Sequence, residues 1–151
     1  MSKRILYPNN FYHVYNRGNH KDKIYFDSRD YEHFLKLMFR LKQFYAFQIY
    51  SYCLMPNHFH MLINVGSNPS EFQHYMHRFM TAYSKYFNKK YNLTGRLFQS
   101  RYKTRFVTKE NGFIMVNEYI KMNPVKAGLV TEVENYKWYE NLSPGIKNID
   151  M

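Results

Sequence analysis

The chain has 151 residues, enough for one domain spanning 1–151, and sets 22 Lys and Arg against 11 Asp and Glu for a net charge of +11. Such an excess favours a polyanionic partner, either nucleic acid or an anionic membrane surface. No apolar run approaches the length of a membrane span and Met1 to Asn10 lacks the apolar stretch of a signal peptide, so a cytoplasmic protein with no membrane partner is expected. The 16 Tyr and 13 Phe turn the balance towards nucleic acid, because bases stack on rings while cations follow the phosphates. Any single ring is still better read as core. The lone cysteine, Cys53, has no internal partner and reads as a small buried residue.

No linker or internal repeat is visible, and the patterned segments follow one another closely. Phe11 to Arg17 reads as a strand closed by Gly18-Asn19. Ser28 can cap a helix running to about Phe44, with Tyr31, Phe34, Leu35, Met38 and Leu41 in one apolar stripe. Ala46 to Leu54 and His58 to Val65 form the next two strands, joined as a hairpin by Met55-Pro56-Asn57. Asn68-Pro69-Ser70-Glu71 starts a second long helix, with cap, first-turn proline and acid, that continues to about Tyr91. Arg101 to Val107 is a fourth strand and Lys109 to Met122 a third helix. This β-α-β-β-α-β-α order predicts an antiparallel sheet with helices mainly on one face, the other being free to hold a ligand.

Met55-Pro56-Asn57-His58-Phe59-His60 carries the clearest chemical signal. Residues two apart on a strand share a face, so His58 and His60 project together while Phe59 points into the opposite layer. Neutral imidazoles held rigidly by a strand suit a divalent ion, although two surface histidines on a half-buried strand fit the same pattern. Zinc has no further support, since neither a cysteine cluster nor a His-Glu-x-x-His run is present. On the fourth strand Arg101, Lys103 and Arg105 alternate with Tyr102, Thr104 and Phe106, and with Arg96 upstream they make a candidate phosphate track. A solvated edge face would look alike. Lys85, Lys89 and Lys90 close the second long helix, where cations complement the helix dipole.

A metal beside nucleic acid needs a nucleophile and a further ligand. Tyr119 and Asn123 lie at i and i+4 on the third helix, which places a phenol and a hard amide oxygen on one face. Asn123 precedes Pro124, so it also reads as a helix-terminus residue. Tyr136 and Glu140 share the spacing in a tail with weaker helical periodicity.

Four segments taken in order, Tyr12-His13-Val14-Tyr15-Asn16-Arg17-Gly18-Asn19, the run from Met55 to His60, Gly95 to Lys103 and Tyr119 to Val130, resemble the motifs of the HUH-type single-tyrosine transposases, most of all the REP-associated branch. The similarity covers roughly residues 9 to 140. It implies a ferredoxin-like α+β fold and metal-dependent cleavage and rejoining of single-stranded DNA near hairpin or palindromic elements. Mg²⁺ or Mn²⁺ would be held by His58 and His60, and Tyr119 would attack. A glutamine one turn beyond the tyrosine is a ligand in some relatives, and Asn123 stands in its place here. Attack on phosphorus would leave a 5′-phosphotyrosine and a free 3′-hydroxyl, so rejoining needs no ATP, in keeping with the lack of a phosphate-binding Gly-x-x-x-x-Gly-Lys loop. A replication- or transfer-initiating nicking enzyme shares these parts, and a domesticated module that binds without cutting is a third reading. A monomer and a homodimer are both left open.

Overall fold

The computed structural model describes residues 5–143. Strands β1 (Phe11–Arg17), β2 (Gln48–Met55), β3 (His58–Asn64) and β4 (Lys103–Val107) are interleaved with helices α1 (Ser28–Lys42) and α2 (Pro69–Tyr91). A third helix, α3 (Asn111–Lys126), and a short strand, β5 (Tyr139–Asn141), follow. The sheet order is β4-β1-β3-β2-β5, with antiparallel neighbours throughout. The first six elements therefore make a ferredoxin-like α+β unit, as the family resemblance implies, to which α3 and β5 are added.

The two-residue period of the strands sorts the layers. Tyr12 and Val14 of β1 and Phe59, Met61 and Ile63 of β3 point to the face that α1 and α2 cover. There α2 inserts Phe72, Tyr75, Met76, Phe79, Tyr83 and Phe87, all buried, and α1 adds Phe34, Met38 and Leu41. Each such side chain contributes roughly 1.5–3 kcal/mol on leaving water, so this layer carries most of the stability. The opposite face packs more thinly: Cys53, Met55, Leu62 and Val107 are met there by Phe113 and Ile120 of α3. Two helices thus share one face while α3 crosses the other, leaving part of it open.

Several boundaries differ from expectation for identifiable reasons. Asp27, not Ser28, caps α1, because its carboxylate accepts the Asp30 N–H at 3.1 Å while the Asp30 carboxylate accepts the Asp27 N–H at 3.3 Å. α1 ends at Lys42, where turn bonds from the Phe44 and Tyr45 N–H groups to Leu41 and Lys42 intervene, and β2 pairs only from Gln48. β4 starts at Lys103 rather than Arg101, since Lys103 opposite Tyr15 is its first paired residue. α3 starts later, at Asn111, and runs through Pro124 to Lys126: the Ala127 N–H reaches the Asn123 carbonyl and the Leu129 N–H the Pro124 carbonyl, both at 3.0 Å. Asn123 is therefore a helical residue, not a terminus. Tyr136 and Glu140 share no helix: Glu140 lies in β5 and accepts a 3.0 Å bond from the Tyr52 hydroxyl, and the Tyr136 hydroxyl donates to the Leu54 carbonyl.

Candidate active site

Strand register gathers the polar side chains on the open face. Tyr15 lies opposite His60 on one side and Lys103 on the other, Arg17 opposite His58, and His13 opposite Arg105. The Pro56-Asn57 turn that precedes His58 is pinned to the segment after β1 by bonds from the Gly18 N–H to the Asn57 carbonyl and from the Ile24 N–H to the Pro56 carbonyl, both 2.9 Å. Gly18 is required there, because a Cβ would stand 2.1 Å from the Asp22 carbonyl oxygen. From above, α3 anchors itself through buried Ile120 and so suspends the adjacent Tyr119, 47% exposed, over the sheet. Its ring meets His60 edge-on at 5.7 Å and His13 at 5.9 Å. The resulting cleft of about 510 Å³ is lined by Arg17, His58, His60, Lys103, Arg105 and Tyr119, among others.

The histidines form a chain. The Nε2 of His13 lies 2.8 Å from Nδ1 of His60, the rings stacked at 5.0 Å, and the His60 and His58 rings stand perpendicular at 4.9 Å. His58 Nδ1 is 2.7 Å from the Asn57 side-chain oxygen, and the Asn123 side chain lies near enough to His58 to favour its charged form. Burial, with Arg105 nearby, pushes His13 down to about 4. Burial likewise lowers His60 well below the ordinary histidine range, with His13 and His58 adding to it, and lowers His58, where Asn123 opposes the shift and Arg17 supports it. All three imidazoles are thus neutral at pH 7, the form in which a ring nitrogen can bind a cation. The buried Nε2 of His60 has no hydrogen-bond partner. A buried, unpaired imidazole nitrogen is costly unless a ligand completes it.

The described residues contain no group of three or more His, Cys, Asp or Glu side chains arranged to hold a metal. A donor set here would consist of His58, His60 and the amide oxygen of Asn123, which the uninterrupted α3 brings against His58. Two imidazoles, an amide and open positions suit a cation that keeps water or phosphate oxygens as its remaining ligands.

The expected phosphate track divides. Lys103 and Arg105 line the cleft, and Arg105 Nε donates to the Tyr15 hydroxyl at 3.3 Å. Arg101, outside the strand, lines a neighbouring groove with Arg96. The lysines at the end of α2 divide as well: Lys90 pairs with Asp30 at 2.9 Å and Asp27 at 3.3 Å, whereas Lys85 and Lys89 line that same groove. His13, Tyr15 and Arg17 were not among the expected site residues. Their i, i+2, i+4 spacing on β1 is the signal that marks them, the same period that marks His58 and His60.

Comparison with known proteins agrees with this fold. No curated protein matches the chain. Among solved structures, a REP-associated tyrosine transposase bound to a REP hairpin aligns with a TM-score of 0.72 at 18% identity, over 92% of this chain and 82% of its own. A putative transposase from Deinococcus radiodurans R1 aligns with a TM-score of 0.52 at 14% identity, over 80% of this chain and 95% of its own. At these identities the likeness bears on the fold. The family model described as "Transposase IS200 like" matches residues 7–123, from ahead of β1 to Asn123 on α3, and so the chain belongs to the IS200-like transposase family.

Proposed function

We propose that the protein cleaves and rejoins single-stranded DNA through a covalent bond to Tyr119, acting beside hairpin-forming sequence as its REP-associated resemblance implies. The observation that carries this reading is the convergence of the exposed Tyr119 with His58 and the unpaired Nε2 of His60 in one cation-lined cleft. A bound Mg²⁺ or Mn²⁺ would polarise the scissile phosphodiester and offset charge on the leaving oxygen. His58, His60 and Asn123 are the residues that would hold it.

The chain's own groups account for the rest. Lys103, Arg105 and Arg17 bind the phosphates flanking the scissile one, and their fixed positions on β4 and β1 orient it below Tyr119. The Tyr119 oxygen bonds to phosphorus as the P–O3′ bond breaks, giving a 5′-phosphotyrosine and a 3′-hydroxyl. The phenolic proton is released and the departing 3′ oxygen takes one up, so the step is proton-neutral overall. The reverse attack by a 3′-hydroxyl regenerates the phenol and joins the strand, with the phosphodiester energy conserved in the intermediate. His13 acts through His60: with one proton between two neutral rings, donation from His60 Nδ1 to His13 Nε2 leaves the His60 Nε2 lone pair free for a cation.

The direct test is incubation with labelled single-stranded hairpins and Mg²⁺ or Mn²⁺. The expected product is a protein–DNA adduct that survives denaturation and carries the 3′-side fragment, alongside a 5′-side fragment ending in a free hydroxyl. Hairpin binding with no adduct in either metal would favour a non-cutting binding module instead.

A further inference from the structure

A second groove adjoins the proposed cleavage cleft beyond β4. Two further cavities, of about 410 and 780 Å³, lie between α2 and the segment leading into β4. Asn16 and Ser100, joined by a 3.0 Å bond from the Asn16 side-chain amide to the Ser100 carbonyl, form a wall shared by the first of these and the cleft. Met80, Thr81, Phe98, Ser100 and Arg101 line both cavities. The two cavities therefore form one groove, which adjoins the cleft where the 98–100 segment pairs with the end of β1 and runs to Lys89 near the end of α2.

The groove changes character along its length in a way that matches a nucleotide chain. Its middle is apolar, with half-buried Met80 beside the edges of the buried Phe98 and Tyr102 and over Met76 of the core, and is flanked by Gln73 and His77. Its far end carries Lys85, Lys89, Arg96 and Arg101, and none of the residues lining either cavity bears a carboxylate. Among the described residues the ion pairs involve Lys90 and Lys137, so these four cations are not neutralised by acidic side chains. The helix dipole explains neither the apolar wall nor the two arginines, which belong to another segment. A wall of methionine and aromatic side chains takes the face of an unpaired base, a polar edge reads its hydrogen-bonding atoms, and cations follow the phosphates. A duplex would hide the base faces that such a wall recognises.

We propose that this groove is a second DNA-binding site, which holds the single strand beyond the scissile phosphate with an unpaired base against Met80 and Phe98 and its phosphates on Lys85, Lys89, Arg96 and Arg101. The proposal rests on the cleavage reading for what occupies the cleft, and it adds where the strand goes next. Such a site selects sequence at a distance from the chemistry, because a base that fits the wall fixes the register of the phosphate presented to Tyr119.

The test is read without metal, so that no cleavage is involved. The full chain in EDTA is titrated with a fluorescent single strand. The doubly substituted Lys85→Gln/Lys89→Gln protein is compared with Lys36→Gln/Arg40→Gln, which removes the same charge from exposed positions on α1. The groove pair is expected to bind about tenfold more weakly, with the salt slope shallower by roughly 0.7 for each phosphate no longer neutralised, and the control pair to change much less. In parallel, strands carrying 5-iodouracil at successive positions are irradiated on the wild-type protein, and crosslinks to Met80, Phe98, Tyr102 or His77 from one preferred position are expected. Equal weakening in the two double variants, or crosslinks that avoid the groove, overturn the proposal. A protein that passes both tests yet forms no adduct with Mg²⁺ or Mn²⁺ refutes the cleavage reading alone, and one that forms the adduct but fails these tests refutes the groove alone.

Discussion

His13 Nε2 and His60 Nδ1 stand 2.8 Å apart at the buried centre of the sheet, two neighbouring strands joined through one shared proton. In the proposed function this pairing orients the His60 ring and leaves its other nitrogen for the cation. Removing a partner of this kind costs roughly 10–100-fold in metal affinity. Calorimetric titration of His13→Ala with Mn²⁺ is expected to show such a loss, and His13→Gln, whose amide oxygen can accept the same proton, a smaller one. Wild-type affinity in His13→Ala would mean that the pair is only packing.

Lys103 and Arg105 line the cleft from the edge strand β4, and the proposed function assigns phosphates to them there. Changing both to Ala is expected to weaken single-strand binding across sequences and to reduce the salt slope by roughly 0.7 for every phosphate the two cations neutralise. Arg105 also donates to Tyr15, so Arg105→Lys, which keeps the charge, separates the two roles. If affinity and salt slope stay at their wild-type values in the double variant, this face does not hold the strand.

Asp30 ties α1 to α2 and to the segment before α1, and the stability it adds depends on pH. Burial alone would raise its carboxyl, but bonds from Tyr91, Lys90, the Phe26 N–H and Tyr86 outweigh it and hold the group below its ordinary value. The unfolded chain therefore takes up this proton at higher pH than the folded one. The stability that Asp30 adds is fully present above the ordinary carboxylate pKa of about 3.9 and is lost as pH falls through the lower folded value. Asp30→Asn is expected to destabilise by about 2–3 kcal/mol at neutral pH, through the missing cap and charge-assisted bonds. Urea unfolding followed from pH 7 to pH 3 checks both points: the variant should lose less stability on acidification than the wild type.

The parts of this fold that were legible in the sequence are those where one periodic pattern decides the structure. Alternation in Phe11–Arg17 and in the hairpin around Pro56, and the unbroken apolar stripe of α2, each point to one arrangement, and the structure has it. Where two neighbouring residues could serve equally, as with Asp27 and Ser28 at the start of α1, the choice fell to a tertiary-scale detail: the capping box closed by Asp30, which is itself held by Tyr86, Lys90 and Tyr91 of α2. β5 escaped because three residues on an edge carry too little pattern to announce a strand. Pro124 signalled a helix end, yet α3 continues because its flanking bonds close around the missing N–H. In the candidate site, the His58 and His60 pair and the helical spacing of Tyr119 and Asn123 could be read locally. The partnership of His13 with His60 is set by register between strands 47 residues apart, which no local spacing encodes.

Tyr119 is one of 16 tyrosines, and the account depends on its being the one that attacks. Phe at this position keeps the ring that meets His13 and His60 and removes only the oxygen. Tyr119→Phe is therefore expected to fold, bind Mn²⁺ and bind hairpin single strands as the wild type does, while forming no covalent adduct. The most direct measurement is tandem mass spectrometry of peptides from the wild-type adduct after nuclease trimming. The account predicts a nucleotide joined through its 5′-phosphate to Tyr119; a nucleotide on Tyr15, Tyr136 or any other residue would contradict it.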